Sequence, residues 1–160
     1  RTLANRLLGA DRIVTSDRPG TTRDWVEETA LIQGWPVTLT DTAGIREPTC
    51  EIEAEAVRRA RRQAAKADAV IVVLDATTPP EARRAQFEHV TESLPPQQPR
   101  IVVLNKSDLG APGAASLAES ALRASALTGS GVDELEQRIV SLLRLDLLDD
   151  ARPTGFLPRH

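Results

Sequence analysis

Aromatic side chains are almost missing from this chain: its 160 residues include two Trp, two Phe and no Tyr. A core without large rings must be filled by Val, Ile, Leu and Ala, a composition that suits parallel strands packed under helices. Cysteine is as scarce. Cys50 stands alone, which excludes an internal disulfide and agrees with a reducing, cytoplasmic compartment. The only lysines are Lys66 and Lys106, and the net charge is −3. That balance argues against a nucleic-acid surface in this segment, because phosphate binding needs clustered, unopposed cations. Arg58, Arg59, Arg61 and Arg62 do cluster, but Glu51, Glu53 and Glu55 precede them. Acids first and bases last is the order that complements a helix dipole on a solvated face. No apolar run approaches the roughly 20 residues of a membrane span, and no signal peptide is visible. No membrane partner is expected. What is present is a chain of one-domain length, with 41% apolar residues to fill a core.

The chain opens inside a helix over 2–8, where Leu3 and Leu7 stand four apart and Gly9 can end the turn. Ile13 to Asp24 reads as a polar loop broken by Pro19-Gly20. Trp25 to Ile32 and Trp35 to Thr40 alternate in period two, and Gly34 between them predicts an antiparallel hairpin. Glu51 to Lys66 has helical composition. Ala69 to Asp75 and Arg100 to Leu104 are continuous apolar runs, read as fully buried parallel strands, with a helix over Glu81 to Ser93 between them. A weaker strand covers Leu122 to Ala126. The last helix starts near Val132 and presents Leu135, Ile139, Leu142 and Leu143 at helical spacing. Strands alternating with helices predict an α/β domain with a doubly wound, mostly parallel sheet and one antiparallel edge strand. There is no internal repeat. Residues 1–150 form the domain, and 151–160 break the pattern as an exit towards something else.

Three stretches carry chemistry. Asp41-Thr42-Ala43-Gly44 follows a strand, so Asp41 is a strand-end carboxylate at a loop mouth, within reach of a hydrated Mg²⁺, and Gly44 lets a backbone N–H approach a phosphate. As a bare pattern these four residues are equally a common turn. Asn105-Lys106-Ser107-Asp108 follows the second buried strand. The carboxylate of Asp108 can accept a bidentate pair from an N1–H and an exocyclic amine, which guanine offers and adenine does not. Asn105 can meet the O6/N7 edge of the base or tie neighbouring loops together, and the stem of Lys106 can lie along base or ribose. The plainer reading is a capped turn at a strand end. Ser125-Ala126-Leu127, continuing to Gly131, ends the next strand, where backbone N–H groups can contact the base oxygen. Three loops at the carboxyl ends of successive strands meet on one rim, where open α/β sheets bind ligands.

These stretches, with Gly20-Thr21-Thr22-Arg23-Asp24, resemble the translation-factor-like GTPases, and within them the MnmE/TrmE tRNA-modification group, over essentially the whole chain. The resemblance implies a Ras-like P-loop GTPase domain that binds GTP and GDP with Mg²⁺ and K⁺. It makes Thr22, and Asp41 through water, the Mg²⁺ ligands. Ser16, Arg18 and Thr21 would hold K⁺, mainly through backbone carbonyls, with Asp17, Pro19 and Gly20 completing that loop. Thr42, Ala43, Gly44, Asn105, Lys106, Ser107, Asp108, Ser125, Ala126 and Leu127 would line the nucleotide. Glu53, twelve residues past Asp41, matches the family's water-orienting glutamate, whereas Arg23 and Arg46 are structural. The full family protein hydrolyses GTP in concert with modification of the tRNA wobble uridine. It pairs G domains as a homodimer in the GTP state and works with the flavoprotein MnmG and tRNA. Gly155 to His160 is similar to the segment where such a chain leaves its G domain for a helical domain. The related ribosome-assembly GTPase EngA (Der) shares the Gly-Thr-Thr-Arg-Asp motif and is the alternative within the enzyme class. The family's phosphate-binding Gly-x-x-x-x-Gly-Lys-Ser/Thr loop and the strand before it are not in the given chain. Arg1 falls where a Mg²⁺-binding Ser or Thr is expected. A truncated segment of a longer chain is therefore expected, the other option being a degenerate module that binds nucleotide or dimerises without hydrolysis.

Overall fold

The computed structural model describes residues 2–9, 12–13, 26–41, 51–110 and 121–145. In chain order these form α1 (Thr2–Leu8), β1 (Arg12–Ile13), β2 (Val26–Ile32), β3 (Trp35–Asp41), α2 (Glu51–Lys66), β4 (Val70–Asp75), α3 (Pro80–Glu92), β5 (Arg100–Asn105), β6 (Leu122–Arg123) and α4 (Val132–Leu142). The described strands make two three-stranded sheets, an antiparallel one ordered β1-β2-β3 and a parallel one ordered β4-β5-β6.

The hairpin follows from its turn. Gln33 and Gly34 both have positive φ, 52° and 80°, the two-residue geometry whose twist matches the flanking strands. Ile32 then faces Trp35 and the ladder runs on to Val26 opposite Asp41. The Gln33 side chain donates to Glu136 Oε2 of α4 at 2.9 Å, pinning the turn to the last helix. A two-residue β1 extends this sheet, with Arg12 opposite Ala30, at the edge of what the sequence presents as loop.

Alternation along β5 divides the core. Ile101 and Val103 enter one cluster with Leu3 and Leu7 of α1, Ala30 and Ile32 of β2, Leu122 of β6 and Leu135 and Ile139 of α4. Leu104 turns to the other face, where Val72, Leu74 and Ala76 meet Phe87 and Val90 of α3. Helices therefore cover both faces of the parallel sheet, and small aliphatic side chains do the filling that the lack of aromatics requires. The sequence makes β4 as buried as β5, and the structure corrects this. Val73, on the face opposite Val72 and Leu74, is 43% exposed, because β4 is the edge of its sheet among the described strands.

On α2, Glu55 accepts from Arg58 at 2.8 Å, Arg59 at 3.3 Å and Arg62 at 3.2 Å. The guanidinium of Arg58 first, and then that of Arg59, holds the Glu55 carboxyl below its usual range. Three members of the arginine cluster thus reach an acid of their own helix.

Arg83 of α3 is wholly buried. Its Nη1 donates to the carbonyl of Ala76 at 2.9 Å and leans on that of Thr78 at 3.4 Å, bracing the turn between β4 and α3. Replacing it with leucine keeps the apolar stem but strips both carbonyls of this donor. The expected cost is about 1–3 kcal/mol, read as a fall in Tm of roughly 2–4 °C per kcal/mol. An unchanged Tm of Arg83→Leu would show that the turn needs no such brace.

Candidate functional site

Parallel register places Asp75 opposite Asn105 and Leu104 opposite Arg123, so the chain leaves β4, β5 and β6 along one edge, where α/β sheets hold ligands. Backbone bonds stitch that edge together: Ala76 N–H donates to Asn105 O at 2.8 Å and Ala124 N–H to Leu104 O at 2.9 Å. Beyond Ala124 the donors turn away from the ladder. Ser125 N–H goes to Ser130 O at 2.8 Å, and Ala126 N–H to the Asn105 side chain. That is why β6 stops at Arg123 rather than running to Ala126.

Asn105 Oδ1 accepts the Ala126 N–H at 3.0 Å. Of the two roles open to this asparagine, the structure displays the one that ties neighbouring loops. Ser107 donates through both N–H and Oγ to Ala124 O, at 3.1 and 2.9 Å. Ser125 is wholly buried; its carbonyl accepts from Gly129 N–H at 2.8 Å and its Oγ from Thr128 N–H at 3.2 Å. These bonds close the 125–131 loop on itself and leave Leu127 at its surface, 79% exposed. Gly131, at φ +76°, ends the loop where a Cβ would lie 2.1 Å from Arg123 O, so only glycine lets α4 start so close to β6.

Lys106 adopts the left-handed conformation, φ 62° and ψ 30°, which a non-glycine residue keeps only when its surroundings hold it there. Its Nζ donates to Asp75 Oδ2 at 2.7 Å. The other oxygen of Asp75 accepts from Thr77 N–H at 2.9 Å and Thr77 Oγ1 at 2.6 Å. The Lys106 bond above all, then Thr77, lowers the Asp75 carboxyl to about 2. A depressed folded-state value means that the pair's contribution is fully present above the ordinary aspartate range and is lost as pH falls through about 2. At neutral pH the carboxylate is ionised. Asp108, the middle residue of the 107–109 3-10 turn, is exposed, and among the described residues no hydrogen bond or ion pair engages its carboxylate.

Of the residues expected at the site, Asn105, Lys106, Ser107, Asp108, Ser125, Ala126 and Leu127 are described and stand on this one rim. Ser16, Asp17, Arg18, Pro19, Gly20, Thr21, Thr22, Thr42, Ala43 and Gly44 lie outside the described residues. Asp41 is placed as the last residue of β3, and Glu53 in the first turn of α2. Sequence reasoning missed Asp75 and Thr77. The signal was available, since a carboxylate that closes an apolar strand is what singles out Asp41.

A free carboxylate with two acceptors beside a pinned lysine fits a base that offers two adjacent donors. The family model described as 50S ribosome-binding GTPase matches residues 2–106. The chain belongs to that family. Membership in this GTPase family carries guanine-nucleotide binding and GTP hydrolysis with it. The tRNA modification GTPase MnmE of Paramagnetospirillum magneticum is 38% identical over 160 residues, which is 99% of this chain and 35% of that protein. The protein of the same name from Xanthomonas euvesicatoria is 40% identical over 147 residues, 92% of this chain and 32% of its own. The chain thus spans about a third of the length of these curated relatives. Among solved structures, Era in complex with MgGDPNP and a segment of 16S ribosomal RNA is 28% identical with a TM-score of 0.64, covering 88% of this chain and 51% of that one. Its likeness places this GTPase domain in the Ras-like α/β fold. Among the described residues no group of three or more His, Cys, Asp or Glu can hold a metal by itself.

Proposed function

We propose that residues 1–150 are the G domain of a tRNA-modification GTPase, in which GTP hydrolysis is coupled to modification of the wobble uridine, and that 151–160 lead out towards a helical domain. The observation that carries this reading is the match of relatives bearing that name along nearly all of the chain, at 38% and 40% identity. In this proposal Asp108 reads the guanine edge, Lys106 lies along base or ribose, and Asn105 with Ser125 and Ala126 holds the two base loops in register. Thr22 and Asp41 bind Mg²⁺, the latter through water. Thr42, Ala43 and Gly44 follow the phosphates. Ser16, Arg18 and Thr21 present oxygens to K⁺, and Glu53 orients the attacking water. Mg²⁺ and K⁺ would supply the positive charge that phosphoryl transfer needs, the latter in place of an arginine finger. Two G domains pair in the GTP state, and a flavoprotein like MnmG and tRNA are engaged through the full-length protein in the cytoplasm. Among the described residues no helix is long and apolar enough to cross a membrane, which is compatible with that setting.

The test is GTP turnover by the full-length protein in K⁺ and in Na⁺, alongside wobble-uridine analysis of tRNA from a strain whose own enzyme is replaced by it. Turnover should fall on the order of 10³-fold in Na⁺, the low end of what an arginine finger supplies, and the modified uridine should return. Equal turnover in Na⁺ refutes the K⁺ assignment, and unmodified tRNA refutes the tRNA reading.

A further inference from the structure

Asp75 and Thr77 belong to none of the stretches that mark the nucleotide site, yet they hold its lysine. Both oxygens of the Asp75 carboxylate are engaged: one takes two donors from Thr77, at 2.9 and 2.6 Å, and the other takes Lys106 Nζ at 2.7 Å. Thr77 fixes the direction of the carboxylate, and the carboxylate fixes an ammonium carried 31 residues further along the chain. The turn that carries Asp75 and Thr77 is itself anchored by the buried Arg83 beneath Ala76 and Thr78. Lys106 stays half exposed, with 53% of its side chain accessible, so it fills no core. An isolated exposed ion pair of this kind contributes little to stability. What the arrangement does instead is take a side chain with four free torsions and immobilise it before any ligand arrives, and prior ordering of that sort strengthens binding.

We propose that Asp75, braced by Thr77, is a positioning residue for Lys106 in guanine-nucleotide binding. The proposal rests on the GTPase reading of the site. Because lysine carries only donors and no acceptor, it is indifferent to the exocyclic amine that Asp108 reads. Misplacing it therefore weakens all purine nucleotides alike.

The experiment measures dissociation constants of GDP and IDP for the full-length protein and its variants. Asp75→Asn should weaken GDP by about twofold to tenfold, the range expected from freezing one long side chain, and IDP by the same factor. Asp108→Asn, in contrast, should change the ratio of the two. Thr77→Val, which keeps the charge of Asp75 but removes the hydroxyl brace, should weaken both nucleotides by a smaller factor. In a Lys106→Met background neither Asp75→Asn nor Thr77→Val should cost anything further. Parental affinity in both single variants overturns the proposal, as does an undiminished effect of Asp75→Asn in the Lys106→Met background, which would show that Asp75 acts through the strand end alone. If the parent protein binds no GDP, the nucleotide reading itself falls, an outcome distinct from a parent that binds and variants that do not differ from it.

Discussion

Glu53→Ala should bind GTP like the parent and hydrolyse it about 10²- to 10⁴-fold more slowly, the range over which a positioned group that orders or activates a reacting water contributes. Glu53 stands in the first turn of α2, and α2 begins directly after residues 45–50, the segment joining it to the Asp41 motif. In the proposed mechanism Glu53 orients the water that attacks the γ-phosphate. The competing account is that Glu53 only complements the positive end of the helix dipole. That role is worth about 0.3–1 kcal/mol of stability and would leave turnover untouched. The two accounts separate cleanly in a single-turnover assay on the full-length protein, with GTP affinity and Tm measured on the same samples. Parental turnover with a slightly lower Tm would make Glu53 a helix-start residue; normal affinity with collapsed turnover would make it catalytic.

Asp108→Asn should lose guanine and gain xanthine. The substitution keeps the shape of the side chain but exchanges one of the two acceptors for a donor. Guanine then meets a donor where its exocyclic amine needs an acceptor, whereas xanthine presents a carbonyl at that position. A bidentate pair of this kind is worth roughly 1–3 kcal/mol of discrimination, so GTP affinity should fall by about tenfold to a hundredfold while that for the xanthosine nucleotide rises. Competition between the two nucleotides on the full-length variant decides the matter. An unchanged preference for guanine would remove Asp108 from base recognition. The exposed position of Asp108 makes a trivial folding defect a poor explanation for a loss.

Much of this molecule could be read before any coordinates. Periodicity set the limits of β2, β3 and α2 almost to the residue, because hydrophobic alternation and helical composition are local properties of a sequence. That the 105–108 and 125–127 stretches share one edge of the sheet was legible for the same reason, since each follows a recognisable strand. What escaped depends on register between distant segments. The bond from Lys106 to Asp75 exists because β4 and β5 pair with Asp75 opposite Asn105, and no spacing within either strand announces it. Arg83 and Arg84 are neighbours of one residue type, yet the first is wholly buried and the second exposed. Only the docking of α3 on β4 decides which face each takes. β1 is two residues long and carries no period at all. β6 ends early because Asn105 captures the Ala126 N–H, a competition for backbone donors that propensity cannot register.

The split of the strands into an antiparallel and a parallel sheet also orders events during folding. The β2–β3 ladder closes through a two-residue turn, so its contacts are local and such a hairpin forms in about 1–10 μs. β4, β5 and β6 have no comparable shortcut, since each parallel pairing must wait for an intervening crossover to be gathered in, and the entropy of that closure is lost before the first ladder bond is gained. The rim where these three strands end is assembled wholly from these late pairings. On the proposed reading of that rim, guanine recognition is among the last properties the chain acquires as it folds, and a nucleotide that depends on the completed rim stabilises the finished domain without speeding the steps that lead to it.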